Sequence, residues 1–245
     1  MKQKIFAALA SLTLLATSCA THHCGSCQKP NTLSAAQQAQ GWKLLFNGHD
    51  LSGWSNFRTN TIRAGWQVKD GALACVDPKN AGDIVNAEQF EWFELELEYN
   101  ISHGGNSGIM YHVTEAAGSA WGTGPEFQLE DNVEAHDPQR CGWLYALYQP
   151  PIDPKTGKPL DATKPAGEWN HIRLVISQEK CEHIINGVKY FEYVLGSEDF
   201  NSRVAKSKFG KMLHFAKFNK GSIALQGDHG QVSFRNIKIR PIEAK

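Results

Sequence analysis
Phe93-Glu94-Leu95-Glu96-Leu97-Glu98-Tyr99 alternates apolar and acidic residues without a break. Successive side chains of a strand point to opposite faces, so this segment turns one apolar face to a core and one charged face to water. On a helix the same residues would be scattered around the axis. Similar short segments surround it, broken by Gly, Asn and Asp: 42–46, 66–69, 72–76, 93–101, 108–113, 126–130, 171–177, 180–185, 188–193, 222–226 and 232–240. Many short strands with turn signals between them predict an all-β fold, a sandwich or a barrel. Asn186-Gly187 accepts the positive φ angles of a tight hairpin turn, and Gly227-Asp228-His229-Gly230 is expected to turn the last hairpin. Residues 149–168 hold five of the ten prolines and read as a long loop, and residues 197–218 are expected to hold a short helix.

The chain of 245 residues is 41% hydrophobic, enough for one sizeable core, and its 25 Lys+Arg balance 25 Asp+Glu. That balance argues against nucleic acid as a partner. The N-terminus differs from the rest. Lys2 and Lys4 precede an apolar run over residues 5–16 that ends in Ala16-Thr17-Ser18-Cys19. The run is shorter than the ~20 residues of a spanning helix, so it reads as an export signal with a lipoprotein cleavage site. Residues 1–18 are the expected signal peptide, Cys19 the lipidated N-terminus, 19–40 a flexible tether rich in Ala, Gln, Ser and Thr, and 41–245 a single domain. Membrane attachment is then through the lipid alone, at the periplasmic or outer-membrane face. Cys24-Gly25-Ser26-Cys27 lacks a second such pair and a redox-domain context, so a local disulfide or an inert linker is expected. Cys75, Cys141 and Cys181 stand singly, either paired in part or buried as thiols.

Chemistry is expected in residues 104–131. Glu126, Gln128 and Glu130 project to one side of a strand while Phe127 and Leu129 project to the other. Asn106-Ser107-Gly108, Tyr111, His112, Asp131 and His136 lie within about one hairpin of that row. At ~3.3 Å per residue, Glu126 and Glu130 are about 13 Å apart at Cα, and Gln128 between them does not ionise. A two-carboxylate glycosidase needs a spacing of about 5–9.5 Å, so this strand alone does not supply one.

Leu45-Phe46-Asn47-Gly48 with Leu51-Ser52-Gly53-Trp54, Asn106-Ser107-Gly108-Ile109, Glu126-Phe127-Gln128-Leu129, Leu144-Tyr145, Pro165-Ala166-Gly167-Glu168-Trp169-Asn170, Asn186-Gly187 and Phe234-Arg235-Asn236-Ile237 occur in a characteristic order. Singly each is weak; together they make the chain, over residues 41–242, resemble the domain family of unknown function 1080. Its members are described as 3-keto-disaccharide hydrolases, or as 3-keto-glucoside lyases and 3-keto-2-hydroxyglucal hydratases. The resemblance implies a concanavalin A-like jelly-roll β-sandwich with the site on a concave face. It also implies a substrate oxidised at C3 by an upstream sugar dehydrogenase. A C3 ketone acidifies the C2 proton, so a base can form an enolate, expel the C1 substituent, and let water add back.

The expected base is Glu126 or His136, with Asp131 beside them; a carboxylate and a histidine would share either a proton or a divalent ion. His103 and His112 are weaker candidates. Tyr145 either hydrogen-bonds the carbonyl or leaving oxygen, or belongs to the core. Asn106, Ser107 and Gln128 are expected to bind sugar hydroxyls, and Trp121, Trp143 or Trp169 to stack on a sugar. Arg235 is expected to pair with a carboxylate beneath the site, or else simply to support the sheet. Gly108 either lets backbone approach the ligand or relieves a bulge. Many relatives carry Arg where His112 stands. The competing expectation is a non-catalytic glycan-binding sandwich on a lipid tether.

Overall fold
The computed structural model describes residues 29–243. Its elements are α1 (Ala35–Ala39), β1 (Lys43–Leu44), β2 (Trp54–Asn56), β3 (Trp66–Lys69), β4 (Ala72–Cys75), β5 (Ile84–Phe90), β6 (Phe93–Ile101), β7 (Asn106–Val113), β8 (Glu126–Glu130), β9 (Asn170–Ile176), β10 (Cys181–Ile185), β11 (Val188–Tyr193), α2 (Glu198–Lys206), β12 (Gly221–Leu225) and β13 (Val232–Pro241). All pairings between strands are antiparallel, in two sheets. An eight-stranded sheet runs β11-β10-β9-β6-β13-β4-β3 with β1 added on β13, and a five-stranded sheet runs β2-β5-β12-β7-β8. This is the expected all-β, jelly-roll type of sandwich.

The core lies between the sheets. Leu95, Leu97 and Tyr99 of β6 are buried in it, as the alternation requires, and they meet Ile109, Phe127, Leu129, Ile223 and Leu225 from the opposite sheet. Burying such side chains stabilises by about 1.5–3 kcal/mol each. Met110, Val113, Ala120 and Ala224 form a separate cluster with Phe57 and Val85. They mark the other face of the five-stranded sheet, the one turned away from the core.

Some segments depart from expectation. Strand β5 was not legible because polar Asn86 takes a buried place, with its Nδ2 donating to Gly53 O at 3.2 Å, while Ala87, Glu88 and Gln89 face water. Residues 227–230 do not close a hairpin, since β12 and β13 belong to different sheets; they cross from one sheet to the other. The Asn186-Gly187 hairpin joins β10 to β11, with φ of 49° and 81° at its two corners. Residues 31–40 are not a loose tether. Asn31 is buried and exchanges hydrogen bonds with Asn236 in both directions, at 2.6 and 2.8 Å, and Ser34 caps α1 through a capping box. Cys75, Cys141 and Cys181 are buried thiols, unpaired. Cys19, Cys24 and Cys27 lie outside the described residues. Among the described residues no helix is long and apolar enough to cross a membrane.

Candidate active site
Strand β8 is an edge strand whose outer side is covered by residues 142–145. Gln128 N donates to Trp143 O (3.0 Å), Gly142 N to Gln128 O (2.8 Å) and Tyr145 N to Glu126 O (2.9 Å). These bonds leave β8 held on both sides, and all five of its residues are buried. Phe127 and Leu129 enter the core, so Glu126, Gln128 and Glu130 project from the opposite face. A cleft of about 170 Å³ on that face is lined by Asn106, Trp121, Glu126, Gln128, Asp137 and Tyr145, together with Lys208, Gln226 and His229.

Glu126 is the unusual group. No hydrogen-bond donor among the described residues is recorded on its carboxyl, and burial pushes its pKa up to about 8, with Asp83 and Asp137 pushing the same way against the charges of Lys208 and His229. Gly108, its neighbour on β7, explains how the side chain lies so close to the sheet. A Cβ at position 108 would fall 1.9 Å from Glu126 Oε1. The glycine therefore makes room for a carboxyl, a role different from both of those expected for it. Glu130, further along the row, is also raised by burial, to about 7, but it has Arg140 Nη1 and Asn106 Nδ2 at 3.3 Å each.

The other cleft groups come from loops. Tyr145 donates its hydroxyl to Asp137 Oδ2 at 2.8 Å, and Lys208 Nζ stands 4.1 Å from the Tyr145 ring centroid. Burial and the adjacent Asp137 keep the phenol well above its ordinary pKa, so it stays protonated. Lys208 follows α2, and the segment is anchored by Phe209 stacked on Phe215 at 3.8 Å. His229 comes from the crossing loop, where its Nδ1 bonds Asp228; that carboxylate holds the imidazole above its ordinary pKa. Among the described residues Gln128 Nε2, in the middle of β8, and Gln226 Oε1, just past the end of β12, are buried without a partner, a donor and an acceptor lining one cleft. Native interiors rarely leave such atoms unpaired. A hydroxylated ligand supplies what both lack.

The cleft therefore gathers Glu126, Gln128, Asn106, Tyr145 and Trp121 from the residues anticipated by sequence. The others lie elsewhere. Ser107 points into the sandwich, where its hydroxyl donates to Gln226 O at 2.7 Å. His112 is buried at a bulge of β7, φ 55°, with Nε2 donating to Glu91 O at 2.6 Å; burial lowers its pKa. His136 is exposed and does not line the cleft, whereas its neighbour Asp137 does. Asp131 braces a turn: although burial opposes it, the N–H groups of Gly104 (2.9 Å) and Val133 (3.0 Å) hold it below the usual carboxylate range. Trp169 and Arg235 stack at 4.0 Å beside Glu98, on the eight-stranded sheet. Lys208, Gln226, His229 and Asp137 escaped sequence reasoning because they arrive from separate loops with no motif of their own.

For a metal, one group among the described residues has donor atoms within 4.8 Å of one another: His103, Asp131 and Glu134. His103 Nδ1 lies 2.9 Å from Glu134 Oε1, so the set already satisfies part of itself. Glu126 is not a member.

The family model described as a 3-keto-alpha-glucoside-1,2-lyase-like domain matches residues 41–240. A 3-keto-disaccharide hydrolase from Bacteroides thetaiotaomicron is 27% identical over 248 aligned residues, 87% of this chain and 82% of that protein. A crystal structure from Parabacteroides distasonis, of a protein provisionally named a glycosyl hydrolase, superposes with a TM-score of 0.78 at 31% identity, over 88% of this chain and all (100%) of that one. A second structure from the same organism, also provisionally named a glycosyl hydrolase, gives 0.61 at 28% identity, over 82% and 99%. The chain belongs to the 3-keto-alpha-glucoside-1,2-lyase-like family.

Proposed function
We propose that this cleft cleaves 3-keto-glycosides by elimination and rehydration, with Glu126 as the base. The supporting observation is a buried carboxyl raised to about 8 with no donor recorded on it, next to unpaired sugar-binding groups. Glu126 takes the C2 proton; the C–H electrons form an enolate with the C3 oxygen. Tyr145, a protonated phenol, turns its hydroxyl from Asp137 to that oxygen, and the Lys208 charge stabilises it. The enolate collapses, the C1–O bond breaks, and His229 gives a proton to the departing oxygen. Water then adds across the new C1–C2 double bond, so the net result is hydrolysis. Asn106, Gln128 and Gln226 hold the sugar hydroxyls. A glycan-binding module, the competing expectation, has no use for a base of this strength.

Glu126 is mostly neutral at pH 7 in the ligand-free protein and ionises as the pH passes about 8. The kcat/KM for a 3-keto-glucoside is expected to rise with pH through that value. Lys208→Met should move the inflection upward, since the lysine charge favours the carboxylate. Solvent deuterium is expected at C2 of recovered substrate in heavy water and not with Glu126→Gln. Full exchange in that variant would remove Glu126 from the role. Parallel assays with and without a chelator test whether a divalent ion takes part.

Export as a lipoprotein through Cys19 is part of the same proposal, and incorporation of labelled fatty acid, lost in Cys19→Ala, tests it. The C3 ketone requires a sugar dehydrogenase acting upstream.

A further inference from the structure
We infer that the substrate's C1 substituent is an aromatic group, held on an apolar shelf that adjoins the polar cleft at Trp121; this rests on the reaction proposed above. At about 170 Å³ the cleft is smaller than the roughly 300–1,000 Å³ of pockets that enclose a drug-sized ligand. One sugar ring occupies it, and whatever is bonded to C1 has to lie outside. Beside it is a second hollow of about 270 Å³ walled by Trp121, Met212 and Leu213 with Ala117 and Gly122. Its polar side chains are those of Ser119 and His214. Trp121 lines both hollows.

The exposure pattern supports a ligand here. Leu213 is 79% exposed and Trp121 40% exposed, large apolar side chains left in water around one hollow. Folding gains nothing from such a patch, and patches of this kind mark binding surfaces. The two segments that form it are fixed to each other. Ala216 N donates to Thr123 O at 2.8 Å, and Phe209, buried against Phe215, anchors the chain between Lys208 and Met212. Lys208 Nζ, 5.8 Å from the Trp121 ring and 4.1 Å from the Tyr145 ring, stands where the two hollows meet.

The lining also distinguishes between occupants. A second sugar would bring hydroxyls to Met212 and Leu213, which offer them no partner. An aromatic ring buries its faces against the indole, the thioether and the leucine, with the sulfur–aromatic contact adding to the area term. The cleft, by contrast, is lined mainly by hydrogen-bonding groups. The division of labour is therefore one polar ring inside and one apolar ring beside it.

Calorimetric titration with phenyl and methyl glucosides, left unoxidised at C3, reads the shelf without the reaction. The phenyl glucoside is expected to bind about tenfold more tightly than the methyl. Leu213→Ser, at a position too exposed to matter for packing, should remove most of that preference. Equal binding of the two glucosides overturns the inference, and so does a preference that Leu213→Ser leaves intact. The 3-keto forms of the same pair then read turnover, with about a tenfold higher kcat/KM expected for phenyl. If neither 3-keto-glucoside is cleaved while the binding preference persists, the elimination proposal falls and the shelf stands. If both are cleaved with equal kcat/KM, the shelf falls and the elimination stands.

Discussion

β6 carries Glu94, Glu96 and Glu98 at alternate positions, and β8 carries Glu126, Gln128 and Glu130 at the same spacing. On β6 every carboxylate has a cation. Glu94 is held by Arg173 and Arg240, Glu96 by Lys238 (2.8 Å) and His171 (3.5 Å), and Glu98 by Arg235. Burial works against ionisation of Glu96, yet those partners bring its pKa down to about 2. On β8 burial wins, and Glu126 rises to about 8. The difference lies in the neighbouring strands. β9 and β13 flank β6 and bring Arg173, His171, Arg235, Lys238 and Arg240 across from it. β7 offers β8 a glycine, an asparagine and apolar residues. One acidic row is thus a stabilising network, and the other stores a reactive group.

Removing Glu126 is the most direct way to break this contrast. Glu126→Gln is expected to lower kcat on a 3-keto-glucoside by about 10²–10⁴-fold, measured by sugar release. The same variant should be more stable than the parent at alkaline pH. The folded protein holds a proton on Glu126 between the ordinary carboxylate pKa and about 8, while the unfolded chain has lost it. Stability from this site is therefore fully present below about pH 4.5 and is lost as pH rises towards 8. Denaturant titrations at pH 5 and pH 8.5 should show the glutamine variant gaining on the order of 3 kcal/mol relative to the parent across that interval. Gly108→Ala tests the geometry and leaves the charge alone. The added methyl displaces the Glu126 carboxyl, and a fall of about 10²-fold in kcat/KM is expected, with Glu126 itself still present. The smallest effect is on the other strand. Glu94→Gln should cost about 1–3 kcal/mol in a denaturation curve, because two arginines lose their shared partner, while turnover is retained. Loss of turnover with unchanged stability would reverse the roles of the two strands.

The alternation that runs from Phe93 to Tyr99 was enough to read β6 and to expect a sandwich, because a period of two admits few other structures. Glu126, Gln128, Asn106 and Tyr145 were legible as site residues because they sit in three segments that follow closely along the chain. His136 was misleading for the same reason of proximity: it is next to Asp137 in sequence, but the loop turns Asp137 into the cleft and His136 to solvent. Ser107 sits beside Asn106 and Gly108, yet the strand period sends it into the core. Trp169 and Arg235 belong to motifs as distinctive as any in the chain, and they meet on the larger sheet instead.

The sequence by itself determined most of the strands, though not β2 or β5, together with the family and the row of polar groups on β8, since these depend on periods of a few residues and on local turn chemistry. Tertiary structure decided which row is chemical. A carboxylate's pKa is set by what surrounds it within a few ångströms, and at Glu126 those surroundings come from Asp83, Gly108, Asp137, Lys208 and His229. Residues so far apart along the chain become neighbours only when both sheets and their loops are in place.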